Sequence, residues 1–147
     1  MYLLLLTLHS WGRWVVLLGL LLGLGRAYRG WWERPPFTPF DNTVRHTVAT
    51  LAHIQLTLGY ALYFVSPLIQ SFRQHGSGAG FFRWQHVAAM SVAVVVLTIG
   101  SALAKRQSSD PAKFRTMALW FTAALLLIFL AIPWPFSPLA SRPYFRF

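Results

Sequence analysis

Four apolar runs constrain this chain more than any motif in it. They cover residues 2–25, about 47–69, about 81–104 and about 116–132. Each is close to the roughly 20 residues that a helix needs to cross about 30 Å of hydrocarbon. Inside a bilayer every backbone N–H and C=O must find a partner within the protein, which leaves helices or a closed barrel. Barrel strands would show alternating segments of about ten residues, and none of the runs alternates. The expectation is an all-α integral membrane protein, an up-down four-helix transmembrane bundle forming one domain over residues 1–147. Composition agrees: 11% of residues are charged and 56% hydrophobic, against about 25% charged in a soluble domain. The first run lacks a following small-residue cleavage site, so it reads as a retained helix and not a secretory signal.

The connections set orientation. Residues 26–46 carry Arg26, Arg29, Arg34 and Arg45, with Trp31 and Trp32 as interfacial anchors and Pro35, Pro36 and Pro39 forbidding one continuous helix. Asp41, Asn42 and Thr43 offer caps for the second helix. Residues 105–115 carry Lys105, Arg106, Lys113 and Arg115, and Ser109-Asp110-Pro111 reads as a helix start. The Gly/Ser-rich connection 70–80, with Arg73 and His75, is nearly uncharged. The tail 133–147 is aromatic and interrupted by Pro133, Pro135, Pro138 and Pro143. Eight Lys/Arg thus lie in the first and third connections. The positive-inside rule puts those loops in the cytoplasm and both termini outside, in a bacterial inner membrane. The net charge of +10 sits in loops beside apolar runs, so its partner is anionic lipid and not nucleic acid.

Several chemistries are excluded. There is no cysteine, hence no disulfide, thiolate metal site or cysteine nucleophile. The three carboxylates, Glu33, Asp41 and Asp110, all fall in loops, so no paired-acid site, buried proton carrier or phosphate loop is present.

What remains is a set of polar residues within the runs. Arg13 stands mid-run, where a charge costs at least a few kcal/mol unless it faces protein, cofactor or water. His9 is one turn away on the same face. At 1.5 Å per residue His9 and His86 lie at matched depth, roughly 8–11 Å below the outer surface, on two helices that run in the same direction. Two histidines at one depth on different helices are what axial ligation of a b-type heme requires. Small residues beside each leave room for a flat macrocycle: Gly12, Gly19 and Gly23 near His9, and Ala89, Ala93 and Gly100 near His86. Arg13 suits a propionate, and Ser10, Ser91 or backbone carbonyls could orient the ligand rings. The competing reading is ordinary: glycine stripes pack membrane helices and a buried histidine bonds a neighbour. Met90 and Met117 read as packing residues.

On the second helix His46, Thr50, His53, Thr57 and Tyr60 share one face, with Gln55 off it. His53 with Tyr60 or Gln55 could donate to the carbonyls of a quinone. The same face also reads as an interhelical seam in which Thr50 and Thr57 bond back to their own helix. A third option makes His53 a heme ligand if the second helix is shifted.

The segments LHSWGRW, HIQLTLGYALYF and AIPWPF resemble those of small bacterial four-helix membrane proteins of cytochrome b-like type, in order along all four helices. The resemblance implies heme binding or electron transfer, with His9, His53 and His86 as the positions concerned. At most one heme is expected, because the chain lacks two stacked histidine pairs. The functional expectation is a membrane b-type cytochrome or cytochrome-like subunit that exchanges electrons with quinol or a partner protein. The alternative is a non-catalytic subunit or assembly factor of a respiratory complex, alone or as a homo-oligomer, whose polar residues only pack helices or bind a partner or quinone.

Overall fold

The computed structural model describes residues 1–75, 80–137 and 142–146, without the side chains of Phe72, Arg73, His75 and Arg83. The connection residues 76–79 and tail residue Pro138 fall outside it. Among the described residues every regular element is helical. They are α1 (Tyr2–Glu33), α2 (Pro39–Val65), the short α3 (Pro67–His75), a π-helical turn (Phe81–Gln85), α4 (His86–Arg106) and α5 (Asp110–Ala131). α1, α2, α4 and α5 are long and apolar enough to cross a membrane.

The helices run further into the connections than apolar content alone indicates. α1 continues eight residues beyond Gly25 because no breaker occurs before Pro35 and Pro36. It stops where Arg34 turns left-handed, φ 55°, and sends its N–H back to the Gly30 carbonyl. Its 32 residues measure about 48 Å, more than the hydrocarbon thickness. The expected loop 26–46 is therefore mostly helix.

α2 begins at Pro39, earlier than residue 47. Its cap is Thr38 and not Asp41, Asn42 or Thr43. Asp41 sits one turn in and closes a capping box: Thr38 N donates to Asp41 Oδ2 at 2.9 Å, and Asp41 N to Thr38 Oγ1 at 3.3 Å. The expected second helix to residue 69 is cut at Ser66 by Pro67, and the chain resumes as α3. α5 starts at Asp110 after the cap Ser109, six residues before its apolar core, with Pro111 in its first turn.

Packing defines a square. α1 packs on α2 and α5, and α4 packs on α5 and α2, so α1 and α4 face each other across a diagonal. Leu20, Leu97, Met117, Phe114 and Phe121 fill the centre with almost no exposure. The outer surface is apolar: Leu18, Leu22, Val92, Val95, Leu126 and Leu130 are exposed, as expected where the solvent is lipid. α4 and α5 meet closely because Gly100 has no side chain. A Cβ there would collide with Trp120.

One end of the square is tied by charge. Asp41, 2% exposed, accepts from Arg26 Nε and Nη2, each at 2.7 Å. The buried Arg45 reaches across to α4, donating from Nη1 to the Ser101 carbonyl at 2.8 Å and hydroxyl at 2.5 Å, and from Nη2 to Asn42 at 2.8 Å. All three carboxylates of the chain stand at this end, at the close of α1 and the starts of α2 and α5.

Candidate functional site

The opposite end of the bundle is hollow. A cavity of about 310 Å³ opens between the four long helices, within the usual size range of small-ligand sites, about 300–1,000 Å³. Its walls are mainly apolar, from Leu6, Val16, Leu56, Met90, Val94 and Ile128 among others. Its polar groups include His9, Ser10, Arg13, Gln55, Tyr60, His86, Arg142 and Arg146.

His9 and His86 meet there across the α1/α4 diagonal. Their ring centroids are 6.4 Å apart and the planes cross at 80°. Two metal–nitrogen bonds of about 2 Å, plus the depth of each ring, separate the centroids of a metal-bridged pair by roughly 6 Å. The centroid spacing of the pair is thus compatible with one metal held between the two rings. The matched depth inferred from sequence places the two rings together.

Each ring is held at Nδ1. His86 Nδ1 lies 2.8 Å from the Ala131 carbonyl, so it donates there and leaves Nε2 unprotonated. The availability of that carbonyl has a cause in the sequence. In a helix the Ala131 oxygen would accept from residue 135, which is Pro135 and has no N–H. Pro133 frees the Phe129 carbonyl in the same way, and Trp134 Nε1 takes it at 2.8 Å. The two prolines of AIPWPF thus release two acceptors, one for the histidine and one for the tryptophan beside it. That signal was open to sequence reading and was missed.

His9 is held by Gln55. The Gln55 amide N–H₂ donates to the His9 carbonyl at 2.7 Å and lies 3.2 Å from His9 Nδ1. In this arrangement His9 accepts at Nδ1 and carries its proton on Nε2. For Nε2 to hold a metal, that proton would have to sit on Nδ1, and the Gln55 amide would have to turn and offer its oxygen. Gly12 and Gly59 make the arrangement possible. A Cβ at Gly12 would strike the Gln55 amide, and one at Gly59 would lie 3.0 Å from His9 Cε1. Phe81 and Phe82 of the π-helical turn pack on His86 with centroids 5.8 and 5.9 Å away. Such turns commonly occur where a helix is re-aimed for function.

The other expected residues separate into two groups. Gln55 and Tyr60 line the cavity, and Tyr60 OH bonds Ser91 Oγ at 2.7 Å. His53 does not line it. It lies on the exposed α2/α4 seam, with Nδ1 2.7 Å from the Ala49 carbonyl and Nε2 3.2 Å from Thr98 Oγ1. Thr50 and Thr57 bond back to the His46 and His53 carbonyls. The structure therefore does not bring His53 together with Gln55, nor with His9 or His86. Of the proposed ring-orienting groups, a backbone carbonyl serves His86, whereas Ser10 and Ser91 are engaged elsewhere.

Arg13 is turned toward the tail. Its Nη2 donates to the carbonyls of Tyr144 and, at 3.3 Å, Pro143. Its Nε and that of Arg142 are buried without a hydrogen-bond partner. Arg146 N donates to Ser10 Oγ at 3.0 Å, and Phe145 lies against Trp11 and Trp14. Residues 142–146 thus lie along α1 at the border of the cavity. Among the described residues no cluster of three or more His, Cys, Asp or Glu could enclose a bare metal ion. Compared with known proteins, the chain matches no family model, no curated protein and no solved structure.

Proposed function

We propose that this protein is a membrane b-type cytochrome, or cytochrome-like subunit, that holds one heme between α1 and α4 with His9 and His86 as the axial pair. The observation that carries the reading is that pair: two imidazoles 6.4 Å apart, on diagonal helices, in an apolar cavity with arginines at its mouth. The residues present fit the group. The donor set is two neutral nitrogens, which suits a heme iron and is too small for a bare ion. Two buried guanidinium nitrogens lack partners, and a heme carries carboxylates that arginine recognises well.

When bound, the heme supplies one-electron exchange with quinol or with a partner protein. The chain's own part is to bind and orient. His86 is fixed by Ala131, His9 by Gln55, and the surrounding leucines, valines and Met90 exclude water. His53 belongs to helix packing in this reading. The membrane is that of a bacterium, with the cavity end outside and the Arg26–Asp41–Arg45 end in the cytoplasm, on the distribution of positive charge.

An absorption spectrum of the purified, folded protein tests this. A reduced α-band of b-type heme is expected. A colourless protein that also fails to take up added hemin would overturn the reading.

A further inference from the structure

The charge at the cavity mouth is one-sided. Arg13, Arg142 and Arg146 border the cavity, and no Asp or Glu lines it. The side-chain carboxylates of Glu33, Asp41 and Asp110 all stand at the other end of the bundle. Among the three arginines the duties differ. Arg13 is engaged by its Nη2 with two tail carbonyls. It acts as a buckle and holds residues 143–144 down. Ser10 does the same for residue 146 through its backbone N–H. The tail is thereby fixed at two points around Arg142 and Arg146. The Arg142 guanidinium lies over the Phe82 ring, 5.1 Å from its centroid, and its Nε is buried with no acceptor among the described residues. A buried guanidinium nitrogen without an acceptor is costly, and the cavity beside it is where an acceptor would stand.

We infer that Arg142 and Arg146, clamped over the cavity by Arg13 and Ser10, form a carboxylate-binding subsite, so that the ligand is a flat apolar macrocycle bearing carboxylates on one edge. This deepens the heme reading and rests on it. It assigns the carboxylate contact to the C-terminal tail and leaves Arg13 as the residue that positions that tail. A guanidinium and a carboxylate pair through parallel N–H···O bonds, and an ester in place of the acid removes the charge from that pairing while leaving the ring and its iron unchanged.

The test compares hemin with hemin dimethyl ester, titrated into the detergent-solubilised full chain and followed by the low-spin spectrum. Hydrogen bonds to charged groups are worth about 1.5–3 kcal/mol, so the ester is expected to bind on the order of tenfold or more weaker than the acid. In Arg142→Gln/Arg146→Gln the two ligands should bind alike, both still low-spin. Arg142→Lys/Arg146→Lys should restore part of the difference. If acid and ester bind the wild-type chain equally and both turn low-spin, the subsite falls while the heme reading stands. A difference that survives intact in the glutamine variant overturns the assignment to these two arginines. If neither ligand gives a low-spin spectrum, both readings fall. Should the double variant not fold, Arg142→Gln and Arg146→Gln are read singly, and each must narrow the difference.

Discussion

At His9 and His86 the chemistry turns on where each ring keeps its proton. Ala131 fixes the His86 proton on Nδ1, whereas Gln55 donates toward His9 and leaves that proton on Nε2. If the pair holds heme as proposed, His9→Ala and His86→Ala should each convert a six-coordinate low-spin spectrum to high-spin or apo. His53→Ala should leave the spectrum unchanged, because His53 is engaged on the α2/α4 seam with Ala49 and Thr98. Loss of heme from that variant would count against the proposed pair. Gln55 gives a graded test. In Gln55→Glu a carboxylate would accept from His9 Nδ1–H, make the ring a stronger donor and favour the oxidised, more positive iron. The midpoint potential should fall, as redox titration would show, and a rise would contradict the role given to Gln55.

At the scale of elements, the ends of helices make the site. α5 stops at Ala131, and Pro135 leaves the Ala131 carbonyl free for His86. Pro135→Ala returns an N–H that competes for that oxygen. Loss of such an orienting bond costs about 10–100-fold in metal affinity, so heme affinity should drop at unchanged helix content, measurable by hemin titration alongside circular dichroism. The sequence disclosed some of this and hid the rest for definable reasons. Depth along a helix is linear in residue number, so the matching of His9 and His86 was legible. Helix ends depend on breakers and caps as well as on apolar content. Arg26 and Arg29 therefore looked like loop residues although nothing before Pro35 stops α1. Gln55 lies off the polar stripe of α2, where sequence alone suggests a quinone donor, yet its being off that stripe is what turns it inward to His9. The chain end read as irregular, which its prolines require, but no local pattern disclosed that Tyr144 and Arg146 return to Arg13 and Ser10, about 130 residues away in sequence.

For the whole molecule, the two ends differ in kind. One end is a filled ionic plug built from Arg26, Asp41, Arg45 and Ser101, and the other is an open cavity rimmed by arginine. The orientation proposed from the positive-inside rule has the plug in the cytoplasm. The chain has no cysteine, so single cysteines report the orientation without background. One placed at Gln74, beyond α2, should react with an impermeant maleimide added to intact cells, and one at Ser108, between α4 and α5, should react only after lysis. The opposite pattern would reverse the orientation. The diagonal placement of α1 and α4 also bears on biosynthesis. Arg26 and Asp41 staple the first hairpin as soon as two helices have been made. The histidine pair comes later, because it needs α4 for His86 and the Ala131 carbonyl of α5 to hold that ring. No intermediate that lacks α5 therefore owns the oriented pair. Any ligand of the cavity can be gripped only after all four long helices have come together.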